Sequence, residues 1–85
     1  MNLTHEEIQK FRDIRIHRIL GVQDNGRDIK LCCPFHSERT PSFTLYEDNH
    51  YHCFGCNKHG FGAIDFCKDL GLSFKESLEE LCNYI

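Results

Sequence analysis

Two pairs of ligand-type residues, Cys33-x2-His36 and Cys53-x2-Cys56, constrain this chain more than any other feature. A two-residue gap lets both members of a pair converge on one ion, and two such pairs supply a closed tetrahedral set of three thiolates and one imidazole. Sixteen residues lie between the pairs. Closed coordination leaves no position for an activated water, so the expected ion is structural. Soft sulfur with nitrogen favours one zinc ion, and iron is the alternative that spacing leaves open. A redox Cys-x-x-Cys is the competing reading, but that motif belongs after a strand at a helix N-terminus, whereas this one lies among glycines. Cys32 precedes Cys33 directly and so points to the opposite side of an extended chain. Only one of the two reaches the ion, and Cys33 has the standard spacing to His36.

A chain of 85 residues is short enough to need such a staple. The reading is of one unit over residues 1–85: a helical lead-in over 1–20, a sheet over 21–62 and helices over 63–85. Its start, MNLTHEEIQK, has no basic and apolar leader, and no run is long enough to cross a bilayer, so a cytoplasmic protein with no membrane partner is expected. In a reducing compartment six cysteines are expected as thiols or metal ligands rather than disulfides. The net charge is −3, and three thiolates around a divalent cation make it about one unit more negative. Nucleic-acid binding therefore has to rest on a local basic patch rather than on bulk attraction.

Local signals give a small α+β chain, an antiparallel sheet flanked by short N- and C-terminal helices. Thr4 with Glu7 forms a capping box, Leu3 with Ile8 a hydrophobic staple, and Ile8 and Phe11 an apolar face. Asp13 is expected to cap a second turn running to Leu20, with Arg12, Arg15 and Arg18 as a solvated face. Asn25-Gly26 predicts a tight hairpin. A second hairpin runs from Ser42–Tyr46 through Glu47-Asp48-Asn49 to His50–Phe54, and the segment after it is read as a glycine-punctuated loop. Ala63, Ile64, Cys67 and Leu70 then share a helical face ended by Gly71. Ser73 with Glu76 caps a last helix whose buried stripe is Phe74, Leu78, Leu81, Cys82 and Ile85. Cys67 and Cys82 are expected as small core residues. His5, His17, His50, His52 and His59 follow no ligand spacing and are expected at the surface.

The segments CPFHSERTPSF (33–43), YHCFGCNKHG (51–60), AIDF (63–66) and GLSFKESLEEL (71–81), in this order, resemble the CHC2 zinc-binding domain of bacterial DnaG-type primases and of related phage and plasmid primases. The resemblance covers residues 13–85. It implies a zinc ribbon with ligands Cys33, His36, Cys53 and Cys56. It also implies contact with single-stranded DNA template that helps a polymerase choose where a primer starts. Arg27 matches a basic position of that family. Three features of the segment depart from it: Gln23, Asp24 and Asn25 stand where the family often has two basic residues, Asn57 stands where glycine usually follows the last ligand, and Phe61-Gly62 lengthens the loop by one residue.

Basic groups that track phosphates and rings that stack on bases are the usual chemistry for single strands. The candidates are Arg27, Lys30, Arg39, His52, Phe54 and Lys58. Each has a structural alternative: Arg39 pairing with Glu38, Phe54 shielding the ion, Tyr46 and Tyr51 half-buried in strands. The expected partners are single-stranded DNA and a primase polymerase domain, a separate polymerase or a replicative helicase. A protein-docking zinc ribbon with little DNA contact is the alternative function. No nucleophile and base pair and no magnesium-holding carboxylate cluster points to catalysis by this segment alone.

Overall fold

The computed structural model describes residues 4–35 and 41–85, so the expected ligand His36 and the expected contact Arg39 lie outside the described residues. Along the chain come α1 (His5–Arg12), α2 (Ile16–Leu20), β1 (Ile29–Leu31), β2 (Phe43–Leu45), β3 (His50–Cys53), β4 (His59–Phe61), α3 (Gly62–Asp69) and α4 (Phe74–Leu81), followed by a 3-10 turn at Cys82–Tyr84. Among the described residues the sheet has four strands in the order β1-β2-β3-β4, each antiparallel to the next.

Both capping boxes form. The Thr4 side chain accepts from the Glu7 N–H and the Ser73 side chain from the Glu76 N–H, and in each pair the glutamate reaches back to the cap backbone. Asp13 does not cap α2. It closes α1 instead, where its carboxylate accepts from Gln9 Nε2 at 2.7 Å. The N-terminus of α2 is satisfied from across the chain, by Asn49 Oδ1 accepting from the Ile16 N–H at 2.9 Å. Leu3, the other half of the expected staple, lies outside the described residues.

The hairpin expected at Asn25-Gly26 is absent, since residues 22–28 form no strand. Gly26 does take a positive φ of 70°. Its N–H, however, donates to Asp24 Oδ1, and Asp24 in turn pairs with Arg15 at 2.7 Å. The turn is thus tied back onto the α2 entry, and β1 finds its partner in β2. The second hairpin forms as read, with Asn49 at φ 76° in its turn. The glycine-punctuated segment contains β4, a strand disguised by Gly60 within it and Gly62 directly after it.

Two clusters pack beneath the sheet and between the helices. Phe43, Tyr51 and Phe66 are fully buried, and the Phe35 ring sits 5.4 to 5.9 Å from all three. Burying each ring contributes roughly 2 to 3 kcal/mol. Burial pushes the Tyr51 phenol far above its ordinary range, helped by the hydrogen bond it donates to Asp69 at 2.6 Å. Gly60 must lack a side chain here, because a Cβ would lie 2.6 Å from the Tyr51 hydroxyl oxygen. The second cluster joins Ile14, Ala63, Ile64, Cys67, Leu78 and Leu81.

The expected stripe of the last helix is only partly buried. Leu78 and Leu81 are inside, while Phe74, Cys82 and Ile85 are exposed, as is Leu70 at the end of α3. The switch to 3-10 winding after Leu81 rotates the later positions off the apolar face. Tyr84 packs there instead, with the Arg18 guanidinium over its ring and bonded to its carbonyl. Arg15 and Arg18 are therefore anchors as well as surface groups.

His17 also departs from its expected surface place, being only 1% exposed. Neither ring nitrogen has a hydrogen-bond partner among the described residues, and Asp24 lies 3.8 Å from Nε2. Burial holds its pKa below 6.5, partly offset by the Asp24 charge and reinforced by Arg15. The unfolded chain therefore takes up this proton at a higher pH than the folded one. Stability is full above the ordinary histidine range and falls as pH drops through it, levelling off only below the folded pKa. His17→Leu should flatten that acid slope in urea melts recorded from pH 7.5 to 5.

Asn49, buried in the hairpin turn, also donates from Nδ2 to the Ile14 carbonyl at 2.9 Å, and its own carbonyl accepts from the Gly62 N–H. Asn49→Ala should cost about 3 kcal/mol in chemical denaturation, from unsatisfied buried groups and from a left-handed backbone. Asn49→Gly keeps the backbone at ease and should lose about 1 kcal/mol less.

Candidate metal centre and outer sheet face

The cysteines of the metal pattern meet at one end of the sheet. Cys33 follows β1, Cys53 ends β3, and Cys56 lies in the turn leading to β4. Their three Sγ atoms all lie within 4.8 Å of one another, and Cys33 and Cys56 are 3.7 Å apart. Cys33 and Cys53 are buried and Cys56 is exposed, while Cys32 faces outward as its position next to Cys33 requires.

Local backbone builds the site. The Phe35 N–H points at Cys33 Sγ at 3.3 Å and the Cys56 N–H at Cys53 Sγ at 3.4 Å. The turn after Cys53 is closed by the Asn57 N–H on the Cys53 carbonyl at 2.7 Å and by the Cys53 N–H on the Lys58 carbonyl at 2.8 Å. Asn57 takes φ 63°, which explains why glycine suits this position and why asparagine, tolerant of the left-handed region, can replace it. Burial alone would raise the Cys53 thiol. Hydrogen bonds from Ser42, Cys33 and the Cys56 and Gly55 N–H groups outweigh it and bring the pKa down to about 6. Converging sulfurs that accept N–H bonds, one already poised as thiolate, are the donor set a soft divalent cation requires.

The face of the sheet turned away from Phe43 and Tyr51 carries polar and aromatic groups in cross-strand rows. The register places Lys30 opposite Thr44, Thr44 opposite His52, and His52 opposite His59. The neighbouring row holds Tyr46, His50 and Phe61. Rings lie against one another along both rows. His52 stacks on Phe54 at 4.3 Å and Tyr46 on His50 at 3.9 Å. His52 Nε2 contacts Asn57 Oδ1 at 3.1 Å, which ties this face to the turn that carries Cys56.

The candidate contacts fall in different places. Lys30 is exposed and Thr44 buried within the first of these rows, and Phe54, 66% exposed, is open to solvent on His52. Arg27 is exposed in the segment before β1. The Lys58 ammonium lies 5.7 Å over the Phe35 ring, on the side of the buried aromatic cluster rather than in the Lys30 row. Tyr51, expected half-buried, is wholly inside. Sequence reading overlooked Ser42 as a hydrogen-bond partner of Cys53, and it overlooked His50, His59 and Phe61 as members of the ring face. Recognising HGF as a further alternating strand, β4, would have revealed the last two.

Sheet, helices and thiol cluster together define a small metal-binding zinc-finger protein. The CHC2 zinc finger family pattern matches residues 4–85, and this chain belongs to that family. Its relatives include the DNA primase of Chlamydia trachomatis serovar D, 44% identical over 85 residues, covering 92% of this chain and 14% of that protein. The DNA primase of Escherichia coli K12 is 50% identical over 81 residues, 93% of this chain and 13% of the relative. That of Haemophilus influenzae is 55% identical over 68 residues, 78% of this chain and 11% of the relative. The chain thus spans about one seventh or less of these curated relatives. No helix among the described residues is long and apolar enough to cross a membrane.

Proposed function

We propose that residues 1–85 act as one unit, the zinc-binding module of a DNA primase, which contacts single-stranded template and helps choose where a primer begins. One zinc ion is held by Cys33, His36, Cys53 and Cys56. The observation that carries this reading is the clustering of three thiols at the end of a sheet whose outer face is laid with rings and Lys30. The ion supplies cohesion, since four protein ligands leave no open position for a reacting water. Chemistry belongs to a polymerase partner, and this module supplies the template contact.

On the outer face, His52 and Phe54 offer stacking surfaces while Arg27, Lys30, Arg39 and Lys58 neutralise phosphates around it. Exposed Leu70 and Phe74 on the helical side favour a second contact, protein docking to the polymerase or a helicase.

Chelation should unfold the chain, because the binding free energy of a structural zinc is folding free energy, and far-ultraviolet circular dichroism checks this directly. An unchanged spectrum and melt would sink the structural role. Ser42→Ala removes a hydrogen bond that lowers the Cys53 thiol and lets it climb toward 9.0. At pH 7 that thiol must then shed a proton to bind the ion, so zinc affinity in chelator competition should fall several-fold. The deficit should close as pH rises toward the higher pKa.

Binding of a labelled single-stranded oligonucleotide should weaken steeply with salt. Lys30→Ala and Arg39→Ala should each reduce the slope of log K against log salt by about 0.7. Identical binding by wild type and both variants would favour the docking reading over template contact.

A further inference from the structure

Tyr46, His50 and Phe61 occupy one row on three adjacent strands or strand ends, and their ring planes are nearly parallel. Tyr46 and His50 are 3.9 Å apart with planes inclined by 7°, a separation that only face-to-face rings can reach. The normal to these planes therefore runs along the row, across the strands. His50 and Phe61 are the next neighbours in that direction, opposite each other in the β3–β4 register, and their planes differ by 6°. Their centroids, however, stand 6.4 Å apart. The space between them opens into a surface groove of about 410 Å³ that both rings line.

The His50 wall of this gap is set before any ligand arrives, and the backbone of the Phe61 wall is held in place. Asp48 holds Nδ1 of His50, and Tyr46 backs the ring on its other face. Phe61 ends β4, with its N–H bonded to the Asp65 carboxylate at 3.2 Å. The following Gly62 fixes the chain direction at φ 86°, where a Cβ would come within 2.9 Å of the Arg12 carbonyl. Gly60 lies between the two walls in the lining of the groove.

A planar group stacked on both faces needs two steps of about 3.4 Å, about 6.8 Å in all. The 6.4 Å between centroids is the most the two planes can be apart, so a base enters as the Phe61 ring, 45% exposed, swings outward and widens the slot. An aromatic side chain of a peptide prefers offset or edge contacts. A base on an extended single strand has two open faces and suits a two-sided slot. Resting on the single-strand reading above, we propose that the gap between His50 and Phe61 is a base-sandwich site that takes one unstacked nucleobase of the template. The adjoining row of Lys30, Thr44 and His52 then lies under the neighbouring nucleotide.

The test uses the zinc-loaded chain and a single-stranded oligonucleotide in which one base at a time is replaced by an abasic site. One position should lose affinity by about 5- to 150-fold, the worth of a stacked base. Phe61→Leu should lose a similar factor on the intact oligonucleotide and nothing further on the one lacking that base. Phe61→Trp should keep wild-type affinity, and both variants should keep wild-type zinc content and melting temperature. If the two losses multiply in full, if no position responds, or if Phe61→Trp loses as much as Phe61→Leu, the slot is refuted while single-strand binding stands. Absence of any binding by the wild type overturns the single-strand reading itself, and the slot with it.

Discussion

Sulfur convergence is the constraint on which the remainder depends. Three thiols brought within 4.8 Å repel one another once ionised, so a cation between them relieves the arrangement. The cysteines come from the end of β1, the end of β3 and the turn before β4, so whatever holds them together also holds three of the four strands in register. Strands of three or four residues cannot do this alone. The low thiol pKa at Cys53 belongs to the same arrangement: the backbone groups that shape the turn also favour the charged sulfur.

At the opposite end of β3 a single buried side chain does a comparable job by different means. Asn49 bonds to the Ile14 carbonyl and the Ile16 N–H, and its backbone carbonyl takes the Gly62 N–H. It thereby joins the α1–α2 junction, the β2–β3 turn and the start of α3. Metal at one end and amide at the other leave β3 clamped lengthwise, with Tyr51 buried between the clamps.

Features set by local chemistry were legible in the sequence. Both capping boxes, the β2–β3 hairpin, the outward Cys32 and the gathering of Cys33, Cys53 and Cys56 follow from spacing alone. Features set by tertiary partners were not. Asn25-Gly26 has the right turn chemistry, but Arg15 claims Asp24 and the hairpin never forms. His17 is buried because α2 turns inward under a cap supplied from Asn49, 33 residues away. The stripe of α4 fails at Cys82 because the winding tightens there. The ring face was half visible, since Tyr46, His52 and Phe54 were recognised as members of outward rows and His50 and Phe61, which complete the row of Tyr46, were not.

The alternation along β3 puts Tyr51 and Cys53 on one side and His50 and His52 on the other. Inward positions must satisfy packing and the thiol cluster, whereas outward ones answer mainly to whatever the face meets. Substitutions on the outer side therefore leave the buried packing untouched, except where a side chain such as His52 also holds the turn that carries Cys56. A lineage can vary the Phe61 side chain to meet a new target while the clamped scaffold beneath is inherited intact.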